Sequence, residues 1–336
     1  MQVKRQNIYL LLATALLSVL GCSSPDSSGL ESVPIELRAS EAGEVETKAD
    51  ENGIDKEFAT RIFASKRDGD YTKLTTTVVD DEWYADTKVT TNGSIALSGN
   101  PVYPQYGDWL YLVAVAPKPT SYTDADAGTV GYTLDGQTDI LYAKQIQGNR
   151  WDGSRFSKNT DNTVRPLVYT HQLTQLKFKA KKAAEKGLTV KVKSITVKEV
   201  TSAMTLTLKD GNATFSGSTD LALTLAGDGT EIKSATAIDL GVLLLPPSTS
   251  DKAYKVTVDT SVGKFEDLTI DFSSSSNSSS SSSSNGSSGS GSASGDHFAK
   301  GHSYEVTLNI SDKELEILSV TVAPWSSEDK GDLDLN

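Results

Sequence analysis

The chain has 336 residues, a formal net charge of −12, 37% hydrophobic and 7% aromatic residues, three His and one Cys. That length calls for one large or two medium domains, and the apolar content supports folded structure over global disorder. The acidic balance argues against a nucleic-acid partner, the single Cys excludes an internal disulfide framework, and three scattered His leave little for a histidine metal centre.

Lys4 and Arg5 precede an uncharged run over residues 8–20. Thirteen residues span roughly 20 Å as a helix, short of a bilayer core of about 30 Å, which is the reading of a signal-peptide core rather than a membrane span. The run ends in Val19-Leu20-Gly21-Cys22, which resembles a bacterial lipobox and implies lipid attachment at Cys22 after removal of residues 1–21. That removal takes away Lys4 and Arg5 and leaves the exported chain more acidic still. Residues 22–32 are polar, with Pro and Gly, and read as a flexible tether.

From Val33 onward the dominant period is two, the period of a strand with one apolar face. In chain order, residues 110–116 (LYLVAVA) form a continuous apolar run, expected where a strand is buried on both faces. Leu176, Phe178 and Ala180 alternate with polar residues. Val190 and Val192 differ in phase from Ile195 and Val197, which predicts a bulge near Lys193-Ser194. Met204, Leu206 and Leu208 alternate, residues 240–245 (LGVLLL) are a second continuous run, and Tyr254, Val256 and Val258, then Tyr304, Val306, Leu308 and Ile310, alternate again. The best helical candidate, KKAAEK at 181–186, is too short to stand alone. Turn signals such as Asn92-Gly93, Asp210-Gly211-Asn212 and Asp228-Gly229 separate short strands, which predicts an all-β fold of two antiparallel β-sandwich domains, over 33–163 and 164–336. Residues 273–295 hold 16 Ser in 23 residues and cannot fill a core, so they predict a disordered insert with a reach of roughly 26 Å.

No chemistry-bearing constellation stands out, so no catalytic, metal or cofactor residue is assigned. His171 reads as a packed structural histidine, and His297 and His302 flank the Ser-rich insert. There is no nucleophile elbow, P-loop or dinucleotide fingerprint. The acidic clusters Asp124/Asp126 and Asp80-Asp81-Glu82 read as solvated surface charge rather than calcium ligands. Trp83/Tyr84, Tyr103/Tyr106/Trp109 and Trp151 are aromatics that either pack in cores or stack on sugars.

Several segments, in order, resemble the fimbrillin family of Bacteroidales, the subunits of type V pili. They are the lipobox Cys22, the strand near Val33–Ala39 followed by Val45-Glu46-Thr47-Lys48-Ala49-Asp50, and the GDWLYLVAVAP run at 107–117. His171-x-Leu173-x-x-Leu176-x-Phe178, GHSYEVTL at 301–308 and VTVAPW at 320–325 complete the set.

The resemblance implies transthyretin-like sandwich domains and export as a lipoprotein to the outer membrane. It also implies proteolysis after a basic residue behind the first strand, and assembly with other pilus subunits by strand exchange into a fimbrium. Mapped onto this sequence, the removable strand lies in residues 33–47 with Val33, Ile35 and Leu37 as its inward knobs. The scissile bond is Lys48-Ala49, with Arg38-Ala39 as the backup. The donor is the C-terminal tail bearing Leu333 and Leu335, or the strand over 315–322 if it detaches. Two other readings remain open: a lipid-anchored surface protein that binds a host or bacterial glycan or protein without polymerising, and a pilus anchor that keeps its lipid and first strand.

Overall fold

The computed structural model describes residues 31–42, 54, 56–76, 82–124, 127–157, 165–183, 189–248, 254–271, 298–311, 314–323 and 325. The described fold belongs to the unit that begins at Val33. Its first strands are β1 (Leu37–Glu41), β2 (Phe58–Ser65), β3 (Trp83–Val89), β4 (Ser94–Ile95), β5 (Leu110–Ala116), β6 (Ser121–Thr123), β7 (Thr129–Thr133), β8 (Leu141–Gly148) and β9 (Leu167–His171). There follow β10 (Thr174–Lys182), β11 (Val190–Val200), β12 (Ala203–Thr207), β13 (Ala213–Ser216), β14 (Thr219–Thr224) and β15 (Thr230–Ile232). The last are β16 (Ile238–Leu245), β17 (Tyr254–Thr260), β18 (Lys264–Ile270), β19 (Ser303–Ile310) and β20 (Leu315–Ala323). No helix occurs among the described residues, and the all-β expectation is met.

The N-terminal strands close into a barrel in the order β1-β4-β3-β2-β5-β8-β9, where a sandwich was expected. Closure comes from β1, which is antiparallel to β4 and parallel to β9. The C-terminal strands do form two sheets, β16-β10-β19-β20 and β14-β11-β17-β18, over one shared core. Here too one ladder, β10 with β19, is parallel. The phase change in β11 falls where predicted: its register against β17 shifts between Val192 and Ser194.

A further sheet, β13-β12-β7-β6, takes two strands from each side of residue 163. It covers the outside of the barrel, and this explains the continuous apolar run of β5. Leu110, Leu112, Ala114 and Ala116 face the barrel interior, while Val113 and Val115 pack with Val130, Tyr132, Met204 and Leu206 of the covering sheet. β16 behaves likewise, with Leu243 and Leu245 in the sandwich core and Leu244 in the cluster shared with the barrel. Strands buried on both faces need no polar alternation.

Candidate functional site: the first strand and its seam

The residues before and within β1 alternate strictly. Ile35, Leu37 and Ala39 are buried and Val33 is half-buried against the barrel core, while Pro34, Glu36 and Arg38 are exposed. Ile35 and Leu37 each contribute roughly 1.5–3 kcal/mol relative to water. The backbone is bonded on both sides. Ile35 N–H donates to Pro101 O at 2.9 Å, Tyr103 N–H to Val33 O at 2.9 Å, Ala39 N–H to Gly93 O at 2.8 Å and Ala42 N–H to Tyr169 O at 2.9 Å.

The seam is nevertheless thin. β1 pairs with β4 only at Leu37–Ile95 and Arg38–Ser94, and with β9 over three residues, Ala39–Leu167 to Glu41–Tyr169. β4 in turn meets β3 at the single pair Val89–Ile95, whereas β2 and β3 pair continuously from Phe58–Val89 to Ala64–Trp83. The apolar floor under β1 is Ile95, Leu167, Tyr169 and Phe58, with Phe58 edge-on to Tyr169 at 5.1 Å between ring centroids.

The end of β1 is held by charge. Glu41 Oε1 lies 3.0 Å from His171 Nε2, and Asp139 Oδ2 lies 2.6 Å from His171 Nδ1. Side-chain exposures of 6% for Glu41, 5% for His171 and 0% for Asp139 make this a buried cluster. Two carboxylates accept from the two ring nitrogens, which only the imidazolium can satisfy. Burial alone would pull the imidazole down, but Asp139 and then Glu41 overcome it and raise the pKa to about 9. The indole of Trp325 stacks on the ring at 3.9 Å with a 23° tilt. One cluster therefore gathers β1, the segment before β8, the end of β9 and the chain after β20.

His171 was legible as a packed structural histidine, but Glu41, Asp139 and Trp325 were not legible as its neighbours. Among the sequence-predicted site residues, Val33, Ile35 and Leu37 lie together on the inward face of the strand. Arg38 is exposed and donates from Nη1 to Ser94 Oγ at 2.7 Å, while Ala39 is buried, so the backup bond Arg38-Ala39 lies inside a hydrogen-bonded ladder. Cys22, Lys48, Ala49, Leu333, Leu335, His297 and residues 273–295 lie outside the described residues. His302 Nδ1 is 3.0 Å from Lys300 O. Among the described residues no group of His, Cys, Asp and Glu could hold a metal ion, and no helix could cross a membrane. Of the sugar-stacking candidates, Trp83 and Tyr103 are buried in the barrel core, whereas Tyr106, Trp109 and Trp151 are exposed.

A barrel closed by β1 and joined to a two-sheet sandwich through a shared sheet defines an all-β protein whose barrel closes through a thin seam. A sequence profile described as fimbrillin-like matches residues 47–325, and the chain belongs to that family. The family makes it a pilus- or adhesin-type protein of the cell surface.

Solved structures share the fold at low identity. A Bacteroides uniformis protein assigned to cell adhesion is 18% identical with a TM-score of 0.54, covering 88% of this chain and 99% of its own. A Bacteroides ovatus protein with the same assignment is 15% identical with a TM-score of 0.51, covering 87% and 96%. A Bacteroides thetaiotaomicron protein assigned to polysaccharide binding is 8% identical with a TM-score of 0.50, covering 88% and 99%. No curated protein matches the sequence.

Proposed function

We propose that the protein is a fimbrial subunit or fimbrillin-type adhesin, exported to the outer membrane as a lipoprotein through Cys22 and matured by removal of its first strand. Cleavage at Lys48-Ala49 separates residues 22–48, the removable strand of residues 33–47 included, from the rest of the chain. An extended strand from another subunit then takes the place of β1. The observation that carries this reading is the seam: a five-residue strand with regularly spaced apolar knobs, paired to a two-residue neighbour on one side and over three residues on the other. A strand held this way has fewer ladder pairs to break than the continuous β2–β3 pairing beside it. The groove it leaves offers unpaired main-chain groups on β9 and apolar pockets at alternate positions, the two requirements of strand addition.

The donor is assigned to the C-terminal stretch, through Leu333 and Leu335 or through β20. Among the described residues β20 lies at a sheet edge, paired with β19 alone, so one described ladder must break for its release. Replacing Lys48 by Ala, alone and with Arg38→Ala, tests the mechanism in cells. Both variants are expected to fold, keep residues 33–48 and fail to assemble. Normal polymer from the double variant refutes processing as the trigger.

A further inference from the structure

We propose that the rim of the barrel formed by Tyr106, Trp109 and Trp151 is a binding platform for a neutral pyranose oligosaccharide. Tyr106 is 81% exposed, Trp151 53% and Trp109 38%, so two of the chain's four tryptophans face water. They belong to one rim: Trp109 immediately precedes β5, Leu110 pairs with Gly148 at the end of β8, and Trp151 lies three residues beyond.

The turn that carries Trp151 is fixed rather than loose. Trp151 N–H donates to Asn149 Oδ1 at 3.0 Å, Ser154 N–H to Trp151 O at 3.0 Å and Asn149 N–H to Ser154 O at 3.0 Å, which locks the turn. The Arg150 guanidinium lies 5.6 Å from the indole centroid and also donates to Gln105 O, tying this turn to the segment that carries Tyr106. Gly107 adopts φ +83°, and a Cβ there would sit 2.1 Å from Trp151 Nε1. The glycine therefore lets the indole lie directly on the backbone beside Tyr106. An aromatic ring held in water by a rigid frame, as Trp151 is, loses little entropy on binding a ligand.

The size and charge of the patch select its occupant. From ring sizes of 150–250 Å² and these exposures, the three side chains present about 400 Å². That is about half the 800 Å² per partner of a standard protein interface, and it suits one or two sugar rings. A pyranose offers a face of C–H groups whose partial positive charge matches the negative face of an aromatic ring. Gln105, Asp108 and Asp152, each next to one of the three aromatics in the chain, are exposed and carry acceptor oxygens for hydroxyl groups. The nearby guanidinium groups are each engaged with a backbone carbonyl, Arg150 with Gln105 O, Arg155 with Arg150 O at 3.0 Å and Arg165 with Gly153 O at 3.3 Å. The exposed Asp108 and Asp152 disfavour an anion, so the rim favours a neutral sugar over an acidic one.

The test is an array of immobilised neutral and acidic pyranose oligosaccharides probed with the full chain, followed by titration of the retained sugars against tryptophan fluorescence. The parent protein is expected to retain neutral pyranosides with a blue shift in emission. Trp151→Ala should weaken binding at least tenfold, and Tyr106→Ala/Trp151→Ala should fall to background while its thermal unfolding stays near the parent's. An array without any retained pyranoside, or equal retention by the double variant, overturns the proposal. So does a double variant that still binds sugar but loses self-association, since the rim would then be a protein contact.

Discussion

The contacts of His171 with Glu41 and Asp139 predict that the attachment of the first strand weakens as pH rises. Its pKa is raised from 6.5 to about 9 by the carboxylates of Asp139 and Glu41 working against burial. A raised folded-state value stabilises the fold fully below about pH 6.5, and the contribution is lost as pH climbs towards 9. At 1.36 kcal/mol per unit, the whole contribution is about 3 kcal/mol, of which about 2 kcal/mol remains at pH 7.5 and almost none at pH 9.5. Urea unfolding at those two pH values, for the parent and for His171→Gln, reads it. The groups facing His171 among the described residues are Glu41 from β1, Asp139 from the segment before β8, and the uncharged Trp325 ring. The parent is expected to lose about 2 kcal/mol more than the variant across it. Glu41→Gln, which keeps an acceptor but removes the charge, should fall between them. Hydrogen exchange at the Ala42 amide, bonded to Tyr169 O, should accelerate beyond the intrinsic base-catalysed rate over the same range. Equal pH dependence in parent and His171→Gln would refute the reasoning.

Three further substitutions probe the frame. Leu37→Ala removes a buried knob of the first strand and should cost about 2–4 kcal/mol in urea unfolding, whereas a cost under about 0.5 kcal/mol would mean the strand is not packed as described. Met204→Ala, in the sheet shared between the barrel and the later strands, should cost a similar amount. It should lower one cooperative calorimetric transition, and a separate, unshifted barrel transition would contradict the shared packing. Gly107→Ala forces both a strained φ and a contact with Trp151. It should destabilise by about 1–3 kcal/mol and shift tryptophan emission, and an unchanged spectrum would refute the placement of the indole.

Strand character was legible wherever one or both faces are apolar, because a side-chain period of two, or its loss in β5 and β16, is a local property. The bulge in β11 was legible for the same reason. Barrel closure was not, because it depends on Ala39 meeting Leu167, more than a hundred residues away, and nothing near either residue specifies that contact. The sheet shared by β7 and β12 escaped for the same cause: both strands alternate plainly, but alternation names a face and not a partner. The charged cluster shows the limit most clearly. Glu41, Asp139, His171 and Trp325 come from four distant segments, and only the fold makes Glu41 a buried acid rather than a surface one. The tryptophans make the same point in reverse, since Trp83 points into the barrel from β3 while Trp151 rides a turn at its rim.

The central claim is that the first strand is exchanged rather than retained. Intact-mass and N-terminal analysis of the protein taken from the cell surface tests it most directly. The account predicts a chain that starts at Ala49 and carries no lipid. A chain that still begins at lipidated Cys22, with residues 33–48 in place, would contradict it.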